Sequence, residues 1–84
     1  MKRISYSEHA LEQMAERGSD QLEVEETIRR GERIPAKKGR IAYRYNFQFN
    51  AKWGDKEFAM KQVMPIVVEE NNEYVVVTVY TFYF

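Results

Sequence analysis

The sequence has no cysteine among its 84 residues and only one histidine, His9. Without cysteine, a disulfide framework and thiolate chemistry are excluded, and one histidine alone offers too few ligands for a structural zinc site. We expect no metal and no cofactor. No apolar run approaches the roughly 20 residues that a membrane-spanning helix needs, and the basic start, residues 1–5, lacks the apolar stretch of a signal peptide. These absences predict a cytoplasmic protein that does not enter a membrane.

The net charge is zero, with 13 basic and 13 acidic residues. A neutral chain is not expected to bind nucleic acid by bulk charge alone. The charges are nevertheless unevenly distributed, because residues 1–32 carry five basic and eight acidic side chains, whereas residues 33–61 carry eight basic and two acidic ones. This division is compatible with an anionic ligand on the second half of the chain, and equally with the solvated faces of an ordinary small domain.

Two short amphipathic helices are predicted near the start of the chain. The first is expected over residues 7–17, since its apolar residues recur at helical spacing and Gly18 can end it in the left-handed conformation. The second begins at Asp20, which forms a capping-box spacing with Glu23, and it ends at Gly31. The link between them is so short that the helices must form a tight corner or hairpin.

The apolar period changes from 3.6 to 2 after residue 40. Over residues 41–50, large apolar side chains alternate with small or polar ones, which predicts a strand with one buried and one polar face. The aromatic side chains of this strand are expected to face the helices; they are Tyr43, Tyr45, Phe47 and Phe49.

Further strands are predicted over residues 56–69 and 74–84. In the first of these, Lys61 falls on the face opposite the larger apolar side chains, and Pro65, which has no backbone donor, is expected to mark an edge, a bulge or a break. The last segment is almost wholly apolar, as in a central strand. The expected fold is one α+β domain over residues 1–84, with two N-terminal helices on one face of a three- or four-stranded antiparallel sheet.

Three segments together resemble the pattern of one protein family. Residues 7–18, Ser-Glu-His-Ala-Leu-Glu-Gln-Met-Ala-Glu-Arg-Gly, resemble the opening "S-x-H-A…R-M…R-G" of a bacterial family known as domain of unknown function 4258. Residues 24–31 fit its second helix, and residues 77–80, Val-Thr-Val-Tyr, resemble its closing strand. Two features depart from the pattern: the usual "R-G-I-S" corner reads Arg-Gly-Ser-Asp at residues 17–20, and the chain is neutral.

The order of elements also resembles the RelE/BrnT-like group of toxin ribonucleases, small sheet domains with two leading helices. That resemblance implies RNA cleavage without a metal, with RNA or the ribosome as target and an antitoxin protein as partner. It is a likeness of fold, which by itself says little about function.

Metal-free RNA cleavage needs a base for the 2′-hydroxyl, charge to stabilise the pentacoordinate phosphate and an acid for the leaving oxygen. His9, in the first turn of the first helix, is a candidate base because the helix dipole there favours a neutral imidazole. Its alternative role is local capping or packing. Arg17, two turns later on the same side, is a candidate phosphate ligand, or simply a favourable charge at a helix C-terminus.

The predicted sheet supplies the remaining candidates. If the strand register allows, the polar face opposite the helices would gather a cationic patch for phosphate, an aromatic ring for base stacking and a phenol for proton transfer. A solvated face with cross-strand pairs would account for the same pattern. The candidate substrate-binding residues are Arg40, Arg44, Lys61 and Thr78, and the candidate catalytic phenol is Tyr80.

Two functions remain open at this level. The first is a toxin-like, metal-independent endoribonuclease of a toxin–antitoxin system. The second is a non-catalytic protein-interaction module of the same fold. Four of the five residues 80–84 are aromatic, which predicts that an antitoxin segment or a second copy covers this strand.

Overall fold

The computed structural model describes residues 2–84. Five strands form a single sheet, and two helices cover one face of it. One 3₁₀ turn links two of the strands. The elements are β1 (Arg3–Tyr6), α1 (Glu8–Arg17), α2 (Gln21–Arg30), β2 (Glu32–Pro35), the 3₁₀ turn Lys37–Gly39, β3 (Ile41–Trp53), β4 (Lys56–Glu69) and β5 (Glu73–Tyr83). The strand order is β1-β5-β4-β3-β2. No helix in this part of the chain is long and apolar enough to cross a membrane.

The α+β class and the two helices are confirmed, whereas the expected three- or four-stranded antiparallel sheet is wrong. The sheet has five strands, and β1 pairs with β5 in parallel. The two unpredicted strands, β1 and β2, have four residues each, so they are too short to show an alternating pattern of their own. β2 also ends at Pro35, a residue that strands tolerate at a sheet edge.

The helix boundaries follow from their capping residues, as predicted. The Ser7 hydroxyl accepts a hydrogen bond from the Ala10 amide at 3.0 Å. At α2, the Asp20 carboxylate accepts from the Glu23 amide at 2.8 Å, and the Glu23 carboxylate accepts from the Asp20 amide at 3.1 Å. Each cap satisfies amides that would otherwise lack partners in the first helical turn.

One hydrophobic core lies between the helices and one face of the sheet. It is built mainly from small aliphatic side chains of α1, α2, β4 and β5, with one aromatic ring from β3. Its members are Ala10, Met14, Val24, Ile28, Tyr43, Val63, Val67, Val76 and Val79.

The assignment of faces in β4 is opposite to the one expected. β4 directs Val63 and Val67 to the helices, whereas Met64 and Ile66 lie on the other face and are only partly buried. Pro65 is fully buried in the middle of a continuous strand rather than at an edge or a break. The irregularity lies beside it in β5, where the pairing with β4 shifts between Ile66 and Val67.

The corner between the helices is held against the far end of the sheet. Gly18 ends α1 with φ 81°, and its carbonyl accepts a hydrogen bond from the Lys61 ammonium at 2.9 Å. The Tyr83 hydroxyl donates to the Arg17 carbonyl at 2.6 Å, and the Trp53 ring stacks on Tyr83 with 4.9 Å between centres. A Cβ atom on Gly18 would lie 2.6 Å from the Trp53 ring and 2.7 Å from the Tyr83 oxygen.

We expect Gly18→Ala to lower the free energy of unfolding by about 1–3 kcal/mol, because alanine would be strained in the left-handed conformation and would collide with Trp53. Gly54→Ala is the matched control, since Gly54 also has a positive φ, 67°, but has no atoms within 4 Å of an added Cβ. Urea titration of both variants separates the two effects. Equal losses would show that the contact with Trp53 contributes nothing.

Candidate functional site

The sheet face turned away from the helices carries a pocket with a basic rim. Its volume is about 410 Å³, and it lies between the 3₁₀ turn and the middle of β4 and β5. The side chains that define this basic pocket are Lys37, Lys38, Arg40, Ile66, Thr78 and Tyr80. Among the residues that the structure describes, no acidic side chain lines it, and its charged lining residues are three cations.

The basic rim depends on a tightly turned backbone. The Arg40 amide donates to the Lys37 carbonyl at 3.2 Å, and the Ala36 amide donates to the Arg40 carbonyl at 2.9 Å. Lys38 adopts φ 61° within this turn. A left-handed conformation at a residue with a side chain costs of order 1 kcal/mol or more. The two closing hydrogen bonds hold it in place.

A side-chain cluster anchors β2, the strand that leads into this turn. The Glu69 carboxylate accepts hydrogen bonds from Arg33 of β2 at 2.8 Å and from the Tyr43 hydroxyl of β3. The hydrogen bond from Arg33, followed by that from Tyr43, lowers the pKa of Glu69. Burial, followed by the hydrogen bond to Glu69, raises the pKa of Tyr43 to about 12. The cluster therefore links β2, β3 and β4 on the helix face of the sheet.

Arg17 reaches the pocket from the end of α1 by passing around the edge of β5. Because β1 pairs with β5 only as far as Val76, the edge of β5 beyond that residue is open. The Arg17 guanidinium donates to the Val79 carbonyl at 3.1 Å, and it lies 5.4 Å from the centre of the Tyr80 ring. That distance is within the range of a cation–π interaction, so Arg17 holds the Tyr80 ring beside the basic pocket.

Other polar side chains of α1 occupy the same edge. The Ser7 hydroxyl donates to the Val77 carbonyl at 3.1 Å. The Thr78 hydroxyl donates to the Gln13 side-chain oxygen at 3.2 Å. Together with Arg17, these contacts protect part of an edge that would otherwise be free to pair with another chain.

Three of the residues expected from the sequence lie together at this pocket, and a fourth lies beside it. Arg40, Thr78 and Tyr80 line it, and Arg17 contacts the Tyr80 ring. His9 is exposed in the first turn of α1 and does not line the pocket. The structure therefore gathers a phenol and several cations, without the histidine.

The expected positions of Arg44 and Lys61 need correction. Lys61 does not lie on the face away from the helices; it is buried on the helix face and pairs with Glu23 at 2.7 Å. Arg44 is on the expected face, but it forms an ion pair with Glu32 at 2.9 Å and lines a separate pocket of about 370 Å³. Neither residue adds a cation to the basic pocket.

Two residues of the rim, Lys37 and Lys38, were not identified as site residues from the sequence. They are part of the basic excess in residues 33–61, which was the one signal available. A loop shows no periodicity, so the sequence could not indicate which face of the sheet its side chains approach.

Tyr43 gives a testable pH dependence. Its folded pKa of about 12 lies above the ordinary value of 10.0, so the folded state keeps the proton where the unfolded state loses it. The stabilisation is complete below about pH 10 and is lost as the pH rises towards 12. We expect urea titrations from pH 9 to 12 to show a falling free energy of unfolding, with a shallower fall in Tyr43→Phe.

Burial also raises the pKa of Tyr6 to about 12 and raises that of Tyr83, so part of the fall should persist in the Tyr43→Phe variant. Tyr6→Phe is the control that removes a phenol outside the Glu69 cluster. Identical slopes in wild type and Tyr43→Phe would contradict the assignment.

Comparison with known proteins identifies the family of this chain but does not indicate its function. No curated protein and no solved structure matches the chain. The family model described as "Domain of unknown function (DUF4258)" matches residues 6–81, from the end of β1 to near the end of β5. The match includes both helices and every residue of the basic pocket, and it confirms the family resemblance noted from the sequence. The chain belongs to the DUF4258 family.

Proposed function

We propose that this protein is a metal-independent endoribonuclease of the toxin kind, and that it cuts RNA at the basic pocket. The observation that carries this proposal is the combination of a phenol, Tyr80, with a rim of three cations and no carboxylate. Cationic side chains in such an arrangement favour a phosphate, and an adjacent phenol can exchange a proton with it.

In the proposed reaction, the 2′-oxygen attacks the neighbouring phosphorus and forms a cyclic phosphate, while the bond from phosphorus to the 5′-oxygen breaks. The 2′-hydroxyl loses a proton and the departing 5′-oxygen gains one. Arg40, Lys37 and Lys38 stabilise the extra negative charge on the phosphate. The Tyr80 hydroxyl donates its proton to the departing 5′-oxygen, the proton of the 2′-hydroxyl passes to water, and Arg17 orients the Tyr80 ring.

His9 was the base expected from the sequence, but it stands apart from the basic pocket. We therefore assign the proton transfer at this site to Tyr80, whose hydroxyl donates to the departing 5′-oxygen. The order of elements resembles that of RelE/BrnT-like toxins, which supports the proposal as an analogy of fold only. The strained backbone of Lys38 gives independent support, since residues in sparsely populated conformations concentrate at functional sites.

The test is to incubate the purified protein with total RNA in EDTA, and separately with translating ribosomes in the magnesium buffer that keeps them assembled. We expect the wild type to cleave, Tyr80→Phe to be about 10²- to 10⁴-fold slower, and Arg40→Ala to be impaired because it loses phosphate stabilisation. Lys56→Ala is the charge control; Lys56 begins β4, ten residues before Ile66, or about 30 Å along an extended strand.

Undiminished cleavage by Tyr80→Phe would refute the assignment of this pocket. Loss of cleavage in His9→Ala, with full activity in Tyr80→Phe, would return the role of base to His9. No cleavage by folded wild-type protein on either substrate would refute the ribonuclease proposal.

The second candidate function is a non-catalytic protein-interaction module. It is favoured by the exposure of aromatic side chains at the end of β5 and directly after it: Tyr80, Phe82 and Phe84 are 41%, 45% and 56% exposed. Apolar surface of this kind commonly marks a binding surface. Inactivity towards RNA, together with a stable complex with an antitoxin-like protein or a second copy, would support this function.

A further inference from the structure

The end of β5 and the residue that follows it carry a line of exposed aromatic rings, which begins at the basic pocket and continues beyond it. Tyr80, Phe82 and Phe84, which we call the aromatic row, occupy alternate positions and so share one face of the sheet. They are opposite Met64, Gln62 and Met60 of β4. The residues paired directly with the row are therefore uncharged, and cations lie at its Tyr80 end.

The spacing of the rings limits the conformation of any nucleic acid strand that they can bind. The Tyr80 and Phe82 rings are nearly parallel, with 16° between their planes and 6.4 Å between their centres. Nucleotides in a duplex strand advance about 3.4 Å per step. Consecutive bases can therefore each contact one ring only if the strand is extended and its bases are unstacked from each other.

The rings of the row can stack on any base, but they cannot distinguish one base from another. A phenylalanine ring has no hydrogen-bonding group with which to read a base edge, but every base has an aromatic face that can stack on it. Stacking of unpaired bases on aromatic side chains is also the usual way in which proteins hold single-stranded RNA. Phosphates that link such bases would lie near the cations at the Tyr80 end.

We propose that the aromatic row binds successive unpaired nucleotides of single-stranded RNA, next to the phosphate held in the basic pocket. This inference rests on the proposed ribonuclease function and specifies its substrate class: extended single strands of broad base composition rather than duplex. Through their contacts with the row, the nucleotides beside the cleaved bond also contribute to substrate binding.

The binding test uses a fluorescently labelled 8-nucleotide RNA with 2′-O-methyl groups, which cannot supply the attacking 2′-hydroxyl, and the same RNA annealed to its complement. Fluorescence anisotropy in EDTA gives both dissociation constants. We expect the single strand to bind more tightly. Phe82→Leu, which keeps apolar bulk and removes the aromatic face, should weaken single-strand binding between about fivefold and about a hundredfold and leave duplex binding unchanged.

Leu22→Ala is the matched control, because Leu22 is an apolar side chain 76% exposed on α2. It should bind both RNAs as the wild type does. Circular dichroism of each variant verifies folding. Equal binding of single strand and duplex by the wild type, or unaltered single-strand binding by Phe82→Leu, would overturn the inference.

A parallel cleavage assay with unmodified RNA separates this inference from the function on which it rests. Weaker single-strand binding by Phe82→Leu without any cleavage by wild type would support the row and refute catalysis. Cleavage that needs Arg40 and Tyr80 but is unaffected by Phe82→Leu would support catalysis and refute the row. A dimeric mass by light scattering that becomes monomeric in Phe82→Leu would assign the row to a second copy and also overturn the inference.

Discussion

The interaction on which the rest of the structure depends is the contact of the helix corner with Lys61. This buried ammonium donates to the Gly18 carbonyl and pairs with Glu23, so it holds the end of α1 and the start of α2 to β4, the central strand of the sheet. Burial of a charge is tolerable because both partners are close. The same contact fixes the end of α1, from which Arg17 reaches the Val79 carbonyl and the Tyr80 ring. The geometry of the basic pocket thus depends on a lysine on the opposite face of the sheet.

The elements with strong periodicity could be predicted, and the choice of face in β4 could not. Alternation shows that β4 has two faces, but both carry apolar residues, and the larger ones, such as Met64 and Ile66, suggested the wrong buried face. The helices contribute side chains of their own to the core, so Val63 and Val67, which are smaller than Met64 and Ile66, fill the remaining space between helices and sheet. A bulge in β5 adds to the difficulty, because Val76 and Val79 are three residues apart and both face the core.

The candidate site was predictable to a similar extent. Arg40, Thr78 and Tyr80 were identified by residue type and position within strands, and the structure brings them together. The contributions of Lys37 and Lys38 depend on the path of a loop, and the loss of Arg44 to an ion pair depends on its register with Glu32. Both depend on how β2 pairs with β3, and the four residues of β2 are too few for an alternating pattern to specify that pairing.

The parallel pairing of the first and last strands also constrains how the protein is made. Arg3 of β1 is paired with Glu73 of β5, 70 residues away, and β5 supplies both Val76 and Val79 to the core. A chain still being synthesised therefore has its helices and its first strand before it has the surface on which they pack. Contacts between such distant residues form late and slow folding. Because Thr78 and Tyr80 lie on β5, the basic pocket cannot form until that strand has emerged from the ribosome, so the nascent chain is without its proposed site while its helices and first strands are being made.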